Sequence, residues 1–148
     1  MQTENQTSII KASDSHRPMI IALLQTEKLP VEDLSASLEH FFVSLTGDNV
    51  IGAIGLEQYG NIALLRSMVV SREHRNKSIA LNLVRHLESY GSSLGVHSIF
   101  LLTETAVTYF EKKGYIKINR EDVPETLKVS SEFSHVCPVS AIVMKKDL

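Results

Sequence analysis

One apolar run limits what this chain can fold into. The segment Ile62–Val70 is almost continuously hydrophobic and is interrupted only by Arg66 and Ser67. This composition predicts a β-strand that is buried on both faces, because a half-exposed strand would alternate between apolar and polar residues. We therefore expect this strand to lie at the centre of a sheet.

An amphipathic helix is predicted soon after this strand. Apolar residues recur at helical spacing from Ile79 to Leu94, and the glycines at positions 91 and 95 are typical of a helix end. A polar loop joins the buried strand directly to this helix. The middle of the chain therefore predicts a strand, a polar loop and a helix in succession.

The remaining segments alternate between strand and helix patterns in the same way. On the N-terminal side we predict a strand over residues 8–11, a helix from Arg17 to about Glu27, a second short helix over residues 31–38, and strands over residues 40–45 and 50–57. The last two strands and the central one should form an antiparallel meander. On the C-terminal side we predict strands over residues 96–102, 115–119 and 141–145, with a helix over residues 105–113.

Length and composition disfavour several classes of function. A chain of 148 residues, 43% of them hydrophobic, has the size of one globular domain, so we expect a single domain over residues 1–148. The net charge of −2 and the lack of long Lys or Arg runs argue against a nucleic-acid partner. No signal peptide or membrane-spanning stretch is visible, so we expect a cytoplasmic protein without a membrane partner. Cys137 is the only cysteine and the histidines lack zinc-ligand spacing, so we expect neither a disulfide nor a metal.

The polar loop is the best candidate for a ligand site. A helix N-terminus presents unpaired N–H groups and a partial positive charge, so the start of the helix at Ile79 favours a bound phosphate. Ser78 and Ala80 are small enough to let an anion approach the backbone, and Arg75 or Lys77 would add charge. We therefore predict a diphosphate site here, although any strand, polar loop and helix would show this pattern.

Two blocks of the sequence resemble the GNAT acetyltransferase superfamily. The first, Arg75-x-x-Ser78-x-Ala80, is similar to the family's coenzyme A loop, Arg/Gln-x-x-Gly-x-Gly/Ala. It departs from the family at Ser78, where Gly is usual, and at Asn76, where Gly commonly follows the Arg. The second block, residues 101–115, is similar to the family's strand and helix that end in Lys/Leu-Gly-Phe/Tyr.

The closer likeness is to the GNAT proteins associated with arsenic-resistance operons and, more distantly, to the acetyltransferase domains of N-acetylglutamate synthases. It covers about residues 50–144. The residues that carry it are Leu64, Leu65, Arg66, Ser67, Leu101, Leu102, Thr103, Tyr109, Phe110, Arg120, Pro124, Glu132, Phe133, Ser134, Cys137, Pro138, Ser140 and Ala141. The resemblance implies an α/β (α+β) GNAT fold, with a central mixed, mostly antiparallel sheet of six to seven strands flanked by about four helices. It also implies an N-acetyltransferase that transfers acetyl from acetyl-CoA directly to the amine of a small metabolite, with an amino acid or an analogue as one option.

The resemblance further implies how acetyl-CoA would bind. The pantetheine arm would lie like an added strand where Ile62–Val70 separates from the strand predicted over residues 96–102. One N–H group there would stabilise the oxyanion. The residues implied in cofactor binding are Met68, Val69, Val70, Arg75, Asn76, Lys77, Ser78, Ile79, Ala80 and Phe110; Phe110 stands where many relatives have Tyr and would be core or a wall for the pantetheine.

Two side chains are candidates for proton transfer. Glu57 is the candidate base, acting through water, although an exposed carboxylate at a strand end is an equally open interpretation. Tyr109 is the candidate acid for the leaving thiolate. It precedes Phe110 by one residue, which turns a helical side chain by about 100°, so protonation by solvent stays open.

Arg66 and Ser67 are the candidate substrate-binding residues. A guanidinium on an apolar central strand needs an anionic partner. A substrate carboxylate would provide one, and an internal salt bridge to Glu57 or Glu104 is the alternative.

Other functions remain open at this stage. A GNAT-like sensor that binds coenzyme A without turnover would account for Ser78, Asn76 and the missing Tyr, and protein acetylation would require an open peptide groove. A homodimer formed through the C-terminal strands is a further option. His74 and His97 show no partner for base catalysis and are interpreted as a loop and a strand residue.

Overall fold

The fold is described from a computed structural model that covers residues 7–29, 31, 34, 37–75, 78–128 and 141–148. The strands in it are β1 (Ser8–Lys11), β2 (Phe41–Thr46), β3 (Asn49–Tyr59), β4 (Ile62–Val70), β5 (Ser98–Thr103), β6 (Ile116–Ile118) and β7 (Ile142–Asp147). The helices are α1 (Arg17–Thr26), α2 (Ile79–Ser93), α3 (Val107–Lys112) and α4 (Glu125–Lys128). Short 3₁₀ turns lie at Asp14–His16, Arg72–His74 and Arg120–Asp122.

The seven strands form one sheet in the order β1-β2-β3-β4-β5-β7-β6. Strands β1 to β4 are antiparallel neighbours, β4 and β5 are parallel, and β7 pairs antiparallel with β5 and β6. The predicted mixed, mostly antiparallel sheet with about four helices is thus confirmed. Within the described part of the chain, no helix has the length and apolar character needed to span a bilayer.

Strand β4 lies at the centre of the sheet, as its apolar composition predicts. Its side chains alternate between the two faces. Leu65 and Val70 join the core under α2 and α3, which contains Leu83, Leu87 and Phe110. On the opposite face, Val69 packs with Ile20 and Leu24 of α1, and Leu64 packs with Phe100 and Leu127 near α4.

A β-bulge interrupts β4 at Ser67. Arg66 pairs with Gly55 and Val69 pairs with Ala53, so three steps along β4 match two along β3. Ser67 has a φ of 57°, in the left-handed region that bulges use and that Gly ordinarily fills. The bulge changes the direction of β4 just before its last residues.

Strands β4 and β5 separate towards their C-terminal ends. Their pairing covers only Ile62 with Ser98, Ala63 with Ile99, and Leu64 with Phe100. Strand β4 continues to Val70 and β5 to Thr103 beyond this ladder. The predicted separation of these two strands is therefore present in the fold.

The helix predicted over residues 31–38 is wrong at the positions that the structure describes. Val31, Leu34, Ser37 and Leu38 are not helical, and the Leu34 N–H donates to the Val31 carbonyl as in a turn. Leu38 is buried, and Val31 and Leu34 pack beside it against the core under α1. Their spacing therefore reflects contact with the core by an irregular segment.

Candidate active site

Two adjoining cavities lie at the separated ends of β4 and β5. The first, here called the loop cavity, has a volume of about 660 Å³ and is lined by Glu27, Leu29, Met68, Val69, Val70, His74, Arg75, Ser78, Ile79, Ala80, Leu81, Thr105, Ala106, Tyr109 and Lys113. The second, here called the split cavity, has a volume of about 640 Å³ and lies against α1, β4, β5 and Phe110. The two share walls at Glu27, Leu29, Met68, Arg75, Thr105 and Ala106.

Most of the predicted cofactor residues line the loop cavity. Those that do are Met68, Val69, Val70, Arg75, Ser78, Ile79 and Ala80. Phe110 lines the split cavity together with the predicted substrate residues Arg66 and Ser67. Asn76 and Lys77 lie outside the described residues, as does the segment 129–140 that contains Cys137.

The start of α2 forms one wall of the loop cavity. Ser78 is its N-cap residue, and Ile79, Ala80 and Leu81 of the first turn also line the cavity. The first N–H groups of a helix have no partner within the helix, so this wall can donate to an anion. Ser78 has φ 65° and ψ 15°, a left-handed conformation that costs a non-glycine residue about 1–3 kcal/mol.

The Arg75 side chain is bound to the protein itself. Its Nε donates to the Val70 carbonyl at 3.3 Å, and its Nη2 lies 2.8 Å from a carboxylate oxygen of Glu27. Arg72 contacts the same carboxylate through Nε at 3.1 Å. These guanidinium groups, Arg75 foremost, lower the pKa of Glu27. Part of the charge predicted for Arg75 is therefore neutralised by a residue that the sequence pattern did not single out.

Tyr109 and Phe110 point in different directions, as the helical rotation requires. Phe110 is buried in the core and stacks edge-on against Tyr115 with ring centroids 5.3 Å apart. Tyr109 faces the loop cavity, and burial raises the pKa of its phenol. Its hydroxyl is buried and has no hydrogen-bond partner among the described residues. Tyr109 therefore lines the cavity with a buried phenol that is protonated at neutral pH.

His74 carries the other unpartnered buried polar atom of the described residues, its Nδ1, and it lines the same cavity. An unpaired buried polar group costs about 1–3 kcal/mol, so such groups commonly mark a place where a ligand or water binds. His74 was interpreted from the sequence as an ordinary loop residue. The sequence around His74 gives no sign of a ligand site, and only its position in the fold shows that it lines the cavity.

Arg66 forms an internal ion pair with Glu57. Its Nη1 donates to Glu57 Oε2, and its Nε donates to Ser67 Oγ at 3.1 Å. The hydroxyl of Tyr59 donates to the other oxygen of Glu57 at 2.8 Å. The Arg66 side chain is 1% exposed and that of Glu57 18%. The salt-bridge alternative raised for Arg66 is thus present, and Arg66 still lines the split cavity.

The chain matches the model of the acetyltransferase (GNAT) family over residues 11–115. The protein is a member of the GNAT family. The match includes the separated strands, the polar loop and the whole of α2 and α3. It therefore covers most of the residues that line the loop cavity of this GNAT protein.

Individual relatives support the same family. Over 101 residues the chain is 34% identical to an uncharacterized N-acetyltransferase of Chlorobaculum tepidum, covering 68% of this chain and 64% of that protein. It is 24% identical over 99 residues to an amino-acid acetyltransferase of Vibrio vulnificus, covering 66% of this chain and 22% of that protein. The chain thus spans less than two thirds of the length of either relative.

The fold is similar to part of a solved synthase structure. N-acetylglutamate synthase from Neisseria gonorrhoeae, complexed with coenzyme A and N-acetyl-glutamate, matches with a TM-score of 0.83 and 17% identity. The match covers 98% of this chain and 36% of that protein. At this level of identity the likeness concerns the GNAT fold alone.

Proposed function

We propose that this protein is an acetyl-CoA-dependent N-acetyltransferase that acts on the amine of a small molecule of the amino-acid type. The observation that carries the proposal is the separation of β4 from β5 beyond Leu64 and Phe100, next to a helix N-terminus. This arrangement offers an unpaired strand edge and an anion site in one continuous opening. A chain with amide groups at one end and a diphosphate at the other matches both.

The residues of the loop cavity fit acetyl-CoA. The backbone of Met68, Val69 and Val70 would bind the amide-bearing arm, and the N–H groups of Ser78, Ile79 and Ala80 would bind the diphosphate. His74 and Tyr109 also line this cavity, and each carries a buried polar atom without a partner among the described residues that would supply a hydrogen bond to the ligand. When bound, acetyl-CoA supplies a thioester that an amine can attack.

The chain's own residues would then assist direct acyl transfer. The amine nitrogen forms a bond to the carbonyl carbon, and the bond from that carbon to sulfur breaks. An N–H group of Met68–Val70 stabilises the negative charge that develops on the carbonyl oxygen. Tyr109 donates its phenolic proton to the departing sulfur. Burial raises the pKa of this phenol, so it carries the proton at neutral pH but releases it less readily than an exposed phenol.

Glu57 and Arg66 are proposed for the acceptor side of the reaction. Glu57, acting through water, accepts the proton that the attacking amine loses. Arg66 and Ser67 line the split cavity and contact the acceptor, while Glu57 and Ser67 hold the guanidinium in a fixed orientation. Glu57 itself lines neither cavity, so a water molecule would carry the proton from the amine to its carboxylate.

The acceptor class is inferred from the relatives and from the charges on the split cavity. The Vibrio relative is named an amino-acid acetyltransferase, and the Neisseria structure holds N-acetyl-glutamate. Lys28, Arg66 and Arg75 line the split cavity together with Glu27 and Glu104, and these mixed charges would suit an acceptor that carries both an amine and a carboxylate. Membership of the arsenic-resistance branch stays a prediction.

A sensor that binds coenzyme A without turnover is the second candidate. The left-handed Ser78 favours it, because a strained loop would weaken binding of the diphosphate without removing the site. Thiol release separates the two functions. Acetyl-CoA is incubated with amino acids, polyamines and aminoglycosides, and release of free thiol with one amine class supports the enzyme. A rise in melting temperature with acetyl-CoA, but no thiol release with any amine, supports the sensor.

A matched pair of variants tests the location of the cosubstrate. Ala80→Asp places a carboxylate on the first turn of α2 inside the loop cavity and should abolish coenzyme A binding by repelling the diphosphate. Asn82→Asp adds the same charge to the exposed side of that turn and should bind nearly normally. Acidic residues suit a first helical turn, so neither change should unfold α2. Equal affinities in the two variants would place the diphosphate elsewhere.

A further inference from the structure

Glu27 occupies an unusual position at the end of α1. It is the C-cap residue of that helix and lines both the loop cavity and the split cavity. The C-terminus of a helix carries a partial negative charge, so a carboxylate there is disfavoured unless cations compensate for it. The compensating cations lie on the polar loop between β4 and α2, here called the coenzyme A loop.

Two arginines of that loop converge on the Glu27 carboxylate. Arg72 Nε lies 3.1 Å from Oε2, and Arg75 Nη2 lies 2.8 Å from Oε1. The Glu27 side chain is 12% exposed, against 73% for Arg72 and 48% for Arg75. The carboxylate is thus the enclosed member of the cluster, and the arginines extend to it from the solvent side.

The backbone at Glu27 is fixed by the way α1 ends. The Glu27 N–H donates to the Leu23 carbonyl, and the Leu29 N–H donates to the Leu24 carbonyl at 2.8 Å. Lys28 between them adopts the left-handed φ of 61° typical of a helix C-terminus. Leu24 is fully buried. The carboxylate is therefore presented to the loop from a rigid support.

We propose that Glu27 is a positioning residue for the coenzyme A loop. By holding Arg72 and Arg75, it fixes the chain from the end of β4 as far as Arg75, three residues before the N-cap of α2, and so steadies the approach to the N–H groups at the start of that helix. It also connects this loop to the wall of the split cavity, where the acceptor would bind. The inference rests on the proposed function for the identity of the ligand, coenzyme A. The ion pairs among Glu27, Arg72 and Arg75 are present whichever function the protein has.

The charges argue for a positioning role and against competition with the diphosphate. Over residues 71–78 the loop carries three cations, Arg72, Arg75 and Lys77, and one anion, Glu73. Pairing with Glu27 still leaves one net positive charge, so an anionic ligand is attracted. If Glu27 instead occupied a phosphate-binding arginine in the ligand-free protein, neutralising it would tighten coenzyme A binding. The two roles therefore predict opposite changes in affinity.

The first test is titration calorimetry of coenzyme A with Glu27→Gln and a matched control. Glu27→Gln keeps the shape and removes the charge, and the loosened loop should weaken binding roughly five- to tenfold, in the range of a lost charge-assisted contact. Glu73→Gln removes the same charge from the same loop; among the described residues, the exposed Glu73 carboxylate accepts from the Ser71 hydroxyl at 2.9 Å. Its affinity should stay within about twofold of wild type. Equal or tighter binding by Glu27→Gln would overturn the proposal.

A second variant acts from outside the cavities. Arg72 contacts Glu27 but lines neither cavity, so Arg72→Gln removes one contact of the cluster without changing a cavity wall. We expect a weaker effect in the same direction, and a double variant with Glu27→Gln that is less than additive. Full additivity would show that the two residues act separately and would contradict the proposal.

Hydrogen exchange supplies a readout that needs no ligand. In ligand-free Glu27→Gln, amides of the peptide spanning residues 71–80 should exchange faster than in wild type, while the exchange of β3 amides stays the same. If exchange over residues 71–80 equals that of wild type, the proposal is overturned. If wild-type protein binds no coenzyme A, the proposed function fails, and this exchange experiment still decides the role of Glu27. If wild type binds and both readouts are unaffected by the variant, only the role of Glu27 fails.

Discussion

Leu64 of β4 and Phe100 of β5 form the last pair of the parallel ladder at the centre of the sheet. Beyond them the two strands diverge, and Ser67 turns β4 through a bulge before Val70. The backbone of a buried strand is thereby left without its neighbour at one edge. Unpaired N–H and C=O groups in such a place are costly, so an extended ligand with amide groups is the natural partner.

Ser78→Gly should stabilise the protein and tighten coenzyme A binding. Ser78 is held at φ 65°, where Gly has no steric penalty, so we expect a gain of about 1 kcal/mol in the free energy of unfolding. Urea unfolding measures the change, and calorimetry measures the affinity. Ser71→Gly is the matched control, because Ser71 has an ordinary φ of −54° and should lose stability. A loss of stability in both variants would contradict the strain at Ser78.

Tyr109→Phe should lower kcat without destabilising the fold. The Tyr109 hydroxyl is buried and has no protein partner among the described residues, so its removal should not lower the free energy of unfolding and should raise it by up to about 1–3 kcal/mol. The loss of the acid should reduce kcat about 100-fold. Because burial raises the pKa of Tyr109 above the ordinary phenol value of 10.0, any decline in wild-type kcat from ionisation of this group should be centred above pH 10.

Tyr115→Phe is the comparison for that experiment. Tyr115 donates to Glu88 at 3.0 Å within the core, so its loss should cost about 1 kcal/mol of stability and leave kcat nearly unchanged. If Tyr109→Phe keeps full activity, solvent protonates the thiolate and Tyr109 only binds the cosubstrate.

Glu57→Ala should destabilise the protein strongly. The change leaves the buried Arg66 guanidinium without its carboxylate, which costs about 3 kcal/mol. The double variant Glu57→Leu with Arg66→Met removes both charges and should recover most of that loss, as measured by urea unfolding.

Activity measurements separate the proposed roles of Glu57 and Arg66. Glu57→Gln should lower kcat, and Arg66→Met should chiefly raise KM for the acceptor. A Glu57→Gln enzyme with normal kcat would leave Glu57 a purely structural residue.

The Glu27 cluster should make stability depend on pH in the acid range. Because Arg75 and Arg72 lower the pKa of Glu27 in the folded state, the carboxylate contributes stability above its ordinary range of about 4.5. That contribution is lost as pH falls through the folded-state value. Wild-type protein should therefore lose more stability between about pH 5 and pH 3 than Glu27→Gln does. Parallel pH profiles would show that the cluster contributes nothing in solution.

Local patterns were sufficient to predict most of the fold. The apolar run predicted β4 and the helical spacing predicted α2, each close to its observed bounds. A strand buried on both faces is apolar throughout, whereas a helix buried on one face repeats its apolar residues every three or four positions, so the two patterns differ. The helix predicted over residues 31–38 was wrong for a physical reason. Val31, Leu34 and Leu38 contact the core under α1, and an irregular chain satisfies that contact as well as a helix does.

The candidate site was predictable only where its chemistry is local. The helix N-terminus that follows the polar loop marks it as a candidate phosphate site, and the different directions of Tyr109 and Phe110 follow from helical rotation. The contact between Glu27 and Arg72 joins residues 45 positions apart, and no spacing rule signals it. The bulge at Ser67 was equally hidden, because Ser stands where a left-handed Gly would have marked it.

Hydrogen exchange of β4 with and without coenzyme A tests the central claim most directly. If the cosubstrate lies along the separated edge, saturating coenzyme A should slow exchange of amides in residues 66–70, while those in residues 62–64, already paired with β5, should change little. Protection confined to residues 66–70 and the start of α2 is the predicted result. Saturable binding of coenzyme A that leaves residues 66–70 unprotected would contradict the account.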